Sequence, residues 1–97
     1  MKELDPILHS QLRLAVMSIL MSVDEADFVY LKEKTESTAG NLSVQLDKLA
    51  TVGYITVEKT FKGKKPCTLC RITLEGLKAF ETYVETLREY ITPGASE

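Results

Sequence analysis

Apolar residues recur along the chain with two periods, one helical and one extended, and the changes between them divide it into elements. Leu8, Leu12, Ala15 and Ile19 form one stripe, and Ile7, Leu14, Met17 and Met21 a second. A helix over about 5–22 is therefore apolar on two sides and expected to be buried on two sides. Asp5-Pro6 suits its start, because Asp caps first-turn donors and Pro at the first helical position loses no needed hydrogen bond. Residues 23–26 are too few for more than a turn or a strand stub. Asp27 then caps a second helix, Phe28 to about Lys34, with Phe28 and Leu31 inward, and Thr35-Glu36-Ser37 forms the turn to a third.

In that third helix, about 38–52, Leu42, Leu46 and Leu49 share one face and leave Gly40, Asn41, Val44, Asp47, Lys48 and Thr51 on the other. Thr38 is the expected cap, and Gly53 stands where the chain must change direction. Tyr54 to Phe61 alternates Ile55, Val57 and Lys59 against Thr56, Glu58 and Thr60, the two-residue period of a strand. Residues 62–66, Lys-Gly-Lys-Lys-Pro, read as a loop, and Cys67 to Thr73 resumes the alternation to complete a hairpin. Thr73 caps a last helix, Leu74 to about Ile91, stopped by Thr92-Pro93-Gly94 and followed by a frayed tail, 95–97. The fold class expected is mainly α with a small β-hairpin (α+β): three helices, a hairpin and a closing helix, the order of a winged helix-turn-helix.

Length and charge add the partner. Ninety-seven residues suit a single domain, 1–97. No apolar run approaches the roughly 20 residues of a membrane span, and the first residues are too polar for a secretion signal, so a cytoplasmic protein without a membrane partner is expected. The net charge is −2, but residues 37–73 hold six basic side chains (Lys48, Lys59, Lys62, Lys64, Lys65, Arg71) against two acidic ones (Asp47, Glu58), a local +4 that leaves −6 elsewhere. One basic region on an acidic protein fits one face meeting phosphate.

Several short motifs resemble the small MarR-like and ArsR-like winged-helix transcriptional regulators. They are Arg13-Leu14, Asp27-Phe28 with Leu31-Lys32, residues 38–43 (Thr-Ala-Gly-Asn-Leu-Ser), Leu49 with Gly53-Tyr54-Ile55, residues 59–66, Thr68, and residues 71–76 (Arg-Ile-Thr-Leu-Glu-Gly). The resemblance spans about Arg13 to Gly76. Gln45 stands where relatives often place His, Ala50 where Glu is common and Cys70 where a larger strand residue is usual. It implies a DNA-binding transcriptional regulator, with repression by occlusion the simplest mode.

On the expected recognition helix, Asn41 can pair with adenine and Val44 can touch a thymine methyl, with Ser43, Gln45 and Lys48 beside them. Ser37 and Thr38 stand at a helix N-terminus suited to phosphate. Lys62, Lys64 and Lys65 on the loop, with Lys59 and Arg71 on its flanking strands, form a basic wing for the backbone or minor groove. The first and last helices carry more apolar surface than so small a core absorbs. A homodimer is therefore expected, with Leu8, Leu12, Ala15, Leu77, Phe80, Val84, Leu87 and Ile91 at its interface and operator half-sites about one DNA turn apart. Any small-molecule effector would have to bind at that interface.

Cys67 and Cys70 form a Cys-x-x-Cys, but residues three apart on a strand face opposite ways, and His9 is placed far off on the first helix. Two reduced thiols are expected, with no metal and no cofactor. One His, no phosphate-binding glycine loop and no defensible catalytic triad exclude an enzyme. The rival class is a winged helix that docks a protein and never touches DNA, which would not need five basic residues between Lys59 and Arg71.

Overall fold

The computed structural model describes residues 2–92, in the order α1 (Gln11–Met21), β1 (Ala26–Asp27), α2 (Phe28–Thr35), α3 (Ala39–Thr51), β2 (Ile55–Lys62), β3 (Lys65–Ile72) and α4 (Leu74–Ile91). The strands form one antiparallel sheet in the order β1-β3-β2. Ala26 pairs with Cys70, and the β2–β3 hairpin runs in register from Ile55 opposite Ile72 to Lys62 opposite Lys65. A single core joins Leu8, Val16, Met17, Leu20, Leu31, Leu42, Leu46, Leu49, Ile55 and Cys70. Each of these larger aliphatic side chains contributes about 1.5–3 kcal/mol by leaving water.

Asp27, Thr38 and Thr73 cap α2, α3 and α4 as expected, each side chain accepting from the backbone N–H three residues on. The first helix differs. It begins at Gln11 with Ser10 as cap, because Ser10 turns extended and accepts from the Arg13 N–H at 3.5 Å. Asp5 and Pro6 open a separate turn in which the Asp5 carbonyl accepts from Leu8 and His9 at 3.1 and 2.9 Å. The Arg13 Nε fastens that turn by donating to the Ile7 carbonyl at 2.6 Å. Leu8 is thereby driven into the core, with no exposed surface, which offsets the helical hydrogen bonds forgone. His9 lies before the helix, not on it, with Nδ1 3.2 Å from the Tyr83 hydroxyl.

The loop expected at 62–66 contracts to two residues, Gly63 and Lys64, so that Lys62, Lys65 and Pro66 belong to the strands. Gly63 at φ +66° supplies the positive φ of a primed hairpin turn. Pro66 lies where β3 has β2 as its only neighbour, a position that tolerates a missing N–H. Beyond Thr92, the expected stop at Pro93-Gly94 and the tail 95–97 fall outside the described residues.

The start of α4 is pinned to the turn after α3. Thr73 donates its N–H to the Tyr54 carbonyl at 3.1 Å and its hydroxyl to the Gly53 carbonyl at 2.6 Å. Gly76 packs so close that an added Cβ would stand 2.1 Å from the Tyr54 carbonyl oxygen. Tyr54 in turn donates its hydroxyl to Asp5 at 2.5 Å, tying the N-terminal turn to the same junction.

Gly76→Ala should therefore destabilise the protein by about 1–3 kcal/mol, since backbone cannot yield as a flexible side chain does. Gly40→Ala, whose Cβ meets nothing within 4 Å, should be neutral or stabilising by up to about 1 kcal/mol. Urea unfolding of the two variants checks the contrast.

Candidate nucleic-acid interface

Burial of Leu42, Leu46 and Leu49 turns the opposite face of α3 to solvent, so Gly40, Asn41, Ser43, Val44, Asp47 and Lys48 are all exposed. Val44, 51% exposed, is an apolar residue in the middle of this polar face. Gln45 is half-buried and engaged within the protein. Its Oε1 accepts from the Arg13 guanidinium, and its Nε2 donates to the Asn41 Oδ1 at 2.9 Å. At the helix start Thr38 is exposed, with its hydroxyl accepting from the Asn41 N–H at 3.2 Å. Ser37 is half-buried, its hydroxyl 2.8 Å from that of Thr35. Asn41 and Gln45 also wall a cleft of about 400 Å³ with Ser10, Leu12, Ala15 and Ser37.

The wing is a twisted two-stranded ribbon whose tip is crowded with positive charge. Lys59, Lys62, Lys64 and Lys65 are exposed, and Lys62 stands directly opposite Lys65. Like charges facing across a ladder repel, and among the described residues these lysines form no ion pair, with Asp27 lining a cleft beside Lys62 and Lys65. Arg71 does not join them. It shares a sheet face with Lys62 and Lys65 and lies opposite Lys59, but its guanidinium pairs with Glu25 at 2.7 Å and Glu58 at 2.9 Å. Its place is a clamp holding the segment before β1 and strand β2 to β3, not a free cation beside the wing lysines.

The interface residues expected on α1 and α4 divide. Leu8 is wholly buried within the protomer, so it is core in this structure and has no surface to share with a partner. Leu12, Ala15, Leu77, Phe80, Val84 and Leu87 are half-buried, and Ile91 is 68% exposed. The face that α4 turns inward carries Gly76, Tyr83 and Thr86, with Ala79, Phe80 and Leu87 packed against the core beside them. Leu77, Val84 and Ile91 lie outside that contact, half-buried or exposed. Arg13 is the site residue that the sequence reading missed, having entered only through resemblance. The available signal was a cation set between Leu12 and Leu14 on an otherwise apolar helix.

Cys67 is half-buried and Cys70 buried, on opposite faces of β3. Burial pushes the Cys70 thiol from its ordinary 9.0 up to about 11, with the charge of Asp27 adding to the shift. Among the described residues no three His, Cys, Asp or Glu side chains gather as metal ligands, and no helix is long and apolar enough to cross a membrane.

A helix-turn-helix pair packed on a first helix and followed by a basic β-hairpin defines the winged-helix class of DNA-binding domain. Residues 12–91 match the winged helix DNA-binding domain family, and the chain belongs to it. It is 33% identical over 78 residues to an uncharacterised protein of Methanocaldococcus jannaschii, covering 80% of this chain and 85% of that one. The structure of a transcriptional regulator homologue from Pyrococcus horikoshii superposes with a TM-score of 0.82 at 26% identity, covering 88% of this chain and 84% of that one. A MarR-family transcriptional regulator from Silicibacter pomeroyi shares the fold at a TM-score of 0.67 and 16% identity, over 92% of this chain and 61% of the other. The transcriptional regulator BldR from Sulfolobus solfataricus does so at 0.68 and 19%, over 90% and 66%. The MarR-like resemblance carried by the motifs is thus matched by the fold.

Thiol labelling of the native protein near neutral pH should modify Cys67 first and Cys70 only on unfolding. Because the folded state holds the Cys70 proton more tightly, that contribution to stability is complete below about pH 9 and is lost as pH rises toward about 11. Denaturant melts across that window, compared with Cys70→Val, should show the loss in the native sequence and a smaller one in the variant.

Proposed function

We propose that this protein is a homodimeric, sequence-specific transcriptional regulator that lays α3 in the major groove of each half-site and its lysine wing along the adjacent backbone or minor groove. The observation that carries this is the Lys62–Lys65 cross-strand pair at the wing tip, a repulsion that a phosphate backbone would relieve. The exposed face of α3 supports it, because Val44 suits a thymine methyl and Asn41 and Lys48 reach polar groups on either side. Ser43 and Thr38 flank them, and Ser37 contributes through the helix N-terminus. The printed descriptions of the Pyrococcus, Silicibacter and Sulfolobus structures as transcriptional regulators point the same way. Repression by occluding a promoter is the simplest output of such a domain.

Shape and surface support dimerisation. The radius of gyration is 14.7 Å, against about 13 Å for a compact chain of this length, and the molecule extends 56 × 25 × 21 Å. An elongated protomer with Leu77, Phe80, Val84 and Leu87 half-covered and Ile91 open along one helix calls for a second copy across a two-fold axis.

Fluorescence anisotropy with DNA from upstream of the protein's own gene, against a shuffled duplex, should show tight, sequence-dependent binding that weakens steeply with salt. Lys64→Ala with Lys65→Ala should flatten the salt slope by up to about 2 and weaken all sequences alike, whereas Asn41→Ala should mainly relax sequence preference. Absence of binding to either duplex at low salt would move the assignment to a protein-docking winged helix. In sedimentation equilibrium the native chain should run as a dimer and Val84→Glu with Ile91→Glu as a folded monomer.

A further inference from the structure

One row of side chains on β2 runs past the end of the core. Ile55, Val57, Lys59 and Phe61 alternate onto the same sheet face. Ile55 is 2% exposed, Val57 37% and Phe61 70%, so the core covers the root of this row and leaves its end in water. Phe61 stands opposite Pro66, also exposed, one pair before the Lys62–Lys65 pair and the Gly63-Lys64 turn. The wing tip thus carries an apolar pair set among Lys59, Lys62, Lys64 and Lys65, all exposed and none in an ion pair among the described residues.

Lysines at such a tip suit phosphate, and a ring among them needs an apolar surface within reach of phosphate. In duplex DNA the largest apolar surfaces are the faces of the bases, closed by stacking unless a step is opened. The minor groove of straight B-DNA is about 6 Å wide, while the backbones of a two-stranded ribbon already stand about 5 Å apart. The wing therefore fits only a groove that has been widened, and an apolar side chain pushed into a base step widens it by kinking the duplex toward the major groove. We propose that Phe61, backed by Pro66, is an apolar wedge that the wing inserts between base pairs from the minor groove, with the four lysines on the flanking phosphates, so that the bound DNA is bent and a pyrimidine–purine step is selected at the wing. This rests on the DNA-binding reading above. It adds a specificity that needs no contact with base edges, because the step is chosen by how easily it opens, and TA and CA steps open most easily.

The test uses the purified full chain and the duplex it binds most tightly from a randomised library, with donor and acceptor dyes at the duplex ends and protein at saturation. The native chain should bend the DNA by about 20° or more at each wing. Phe61→Leu, still an apolar wedge, should keep most of the bend. Phe61→Thr, which suits a strand but cannot wedge, should abolish it and weaken binding at least about fivefold, the low end of what an aromatic stacked on a base contributes. A fluorescent base analogue placed at the selected step should brighten on binding the native chain and stay dim with Phe61→Thr, and that variant should no longer prefer a pyrimidine–purine step there. Its urea midpoint should match that of the native chain, since the ring is on the surface. The proposal is overturned if the native chain leaves the duplex straight, or if Phe61→Thr bends it as the native chain does, and the ring is then left to a protein partner. A bend lost in Phe61→Thr together with a lowered urea midpoint, and not kept by Phe61→Leu, would make the ring a brace for the hairpin and equally overturn it. If the native chain binds no duplex, the DNA-binding reading falls and the wedge with it.

Discussion

The close approach of Gly76 to the Tyr54 carbonyl is the constraint on which the rest of the arrangement depends. No side chain can stand between the first turn of α4 and the backbone after α3, so the two segments meet at backbone distance. Thr73 closes the junction from both directions, capping α4 with its hydroxyl oxygen while donating to Gly53 and Tyr54. Gly53, at φ +83°, turns the chain sharply enough to bring the end of α3 there. Three functional parts leave this one point: α3 in one direction, the wing through β2 and β3 in another, and α4 in a third. Their relative angles are consequently a property of a few backbone contacts.

Charge is distributed to the same end. Twelve of the fourteen acidic residues lie outside residues 37–73, while five of the nine lysines, 48, 59, 62, 64 and 65, lie within them. Arg71 shows that a basic residue within the positive region need not belong to the binding surface. Its bonds to Glu25 and Glu58 lock the three-stranded sheet at its base, where exposed pairs contribute modestly but fix geometry. Beyond that clamp the ribbon carries four exposed lysines that form no ion pair among the described residues. The wing thus has a neutralised root and a positive end.

Surplus apolar surface is the counterpart of this division. A fold of this length can bury one layer of helix against a small sheet, and it does so with Leu8, Val16, Met17, Leu20 and the α3 leucines. On α4, Phe80 and Leu87 pack against this core beside the buried Tyr83 and Thr86, while Leu77 and Val84 are half-buried at the flank and Ile91 is exposed. Small and polar residues face inward where backbones approach and a hydroxyl finds a partner, as Tyr83 does at His9.

Local rules carried much of the fold unaided. Period, caps and turn residues located α2, α3, both long strands and α4 to within about two residues, because Asp27, Thr38, Thr73, Gly53 and Gly63 act on their immediate neighbours. The outward face of α3 was legible for the same reason, since three leucines at helical spacing leave its opposite side no choice. What only tertiary structure decided involved competition between distant groups. Asp5 was the cap read from the sequence, but with Leu8 buried and Arg13 bonded to Ile7 the helix is capped by Ser10 instead. Arg71 and Lys59 looked alike as cations until pairing with Glu25, 46 residues away in sequence, separated them. Gln45 read as a surface residue until α1 brought Arg13 against it. Within the apolar repeat of α4, Phe80 and Leu87 could not be separated from Leu77, Val84 and Ile91 until packing set them against the core. The sequence by itself determined which elements form and where charge gathers; the packing of α1 and α4 determined which side chains remained free to act.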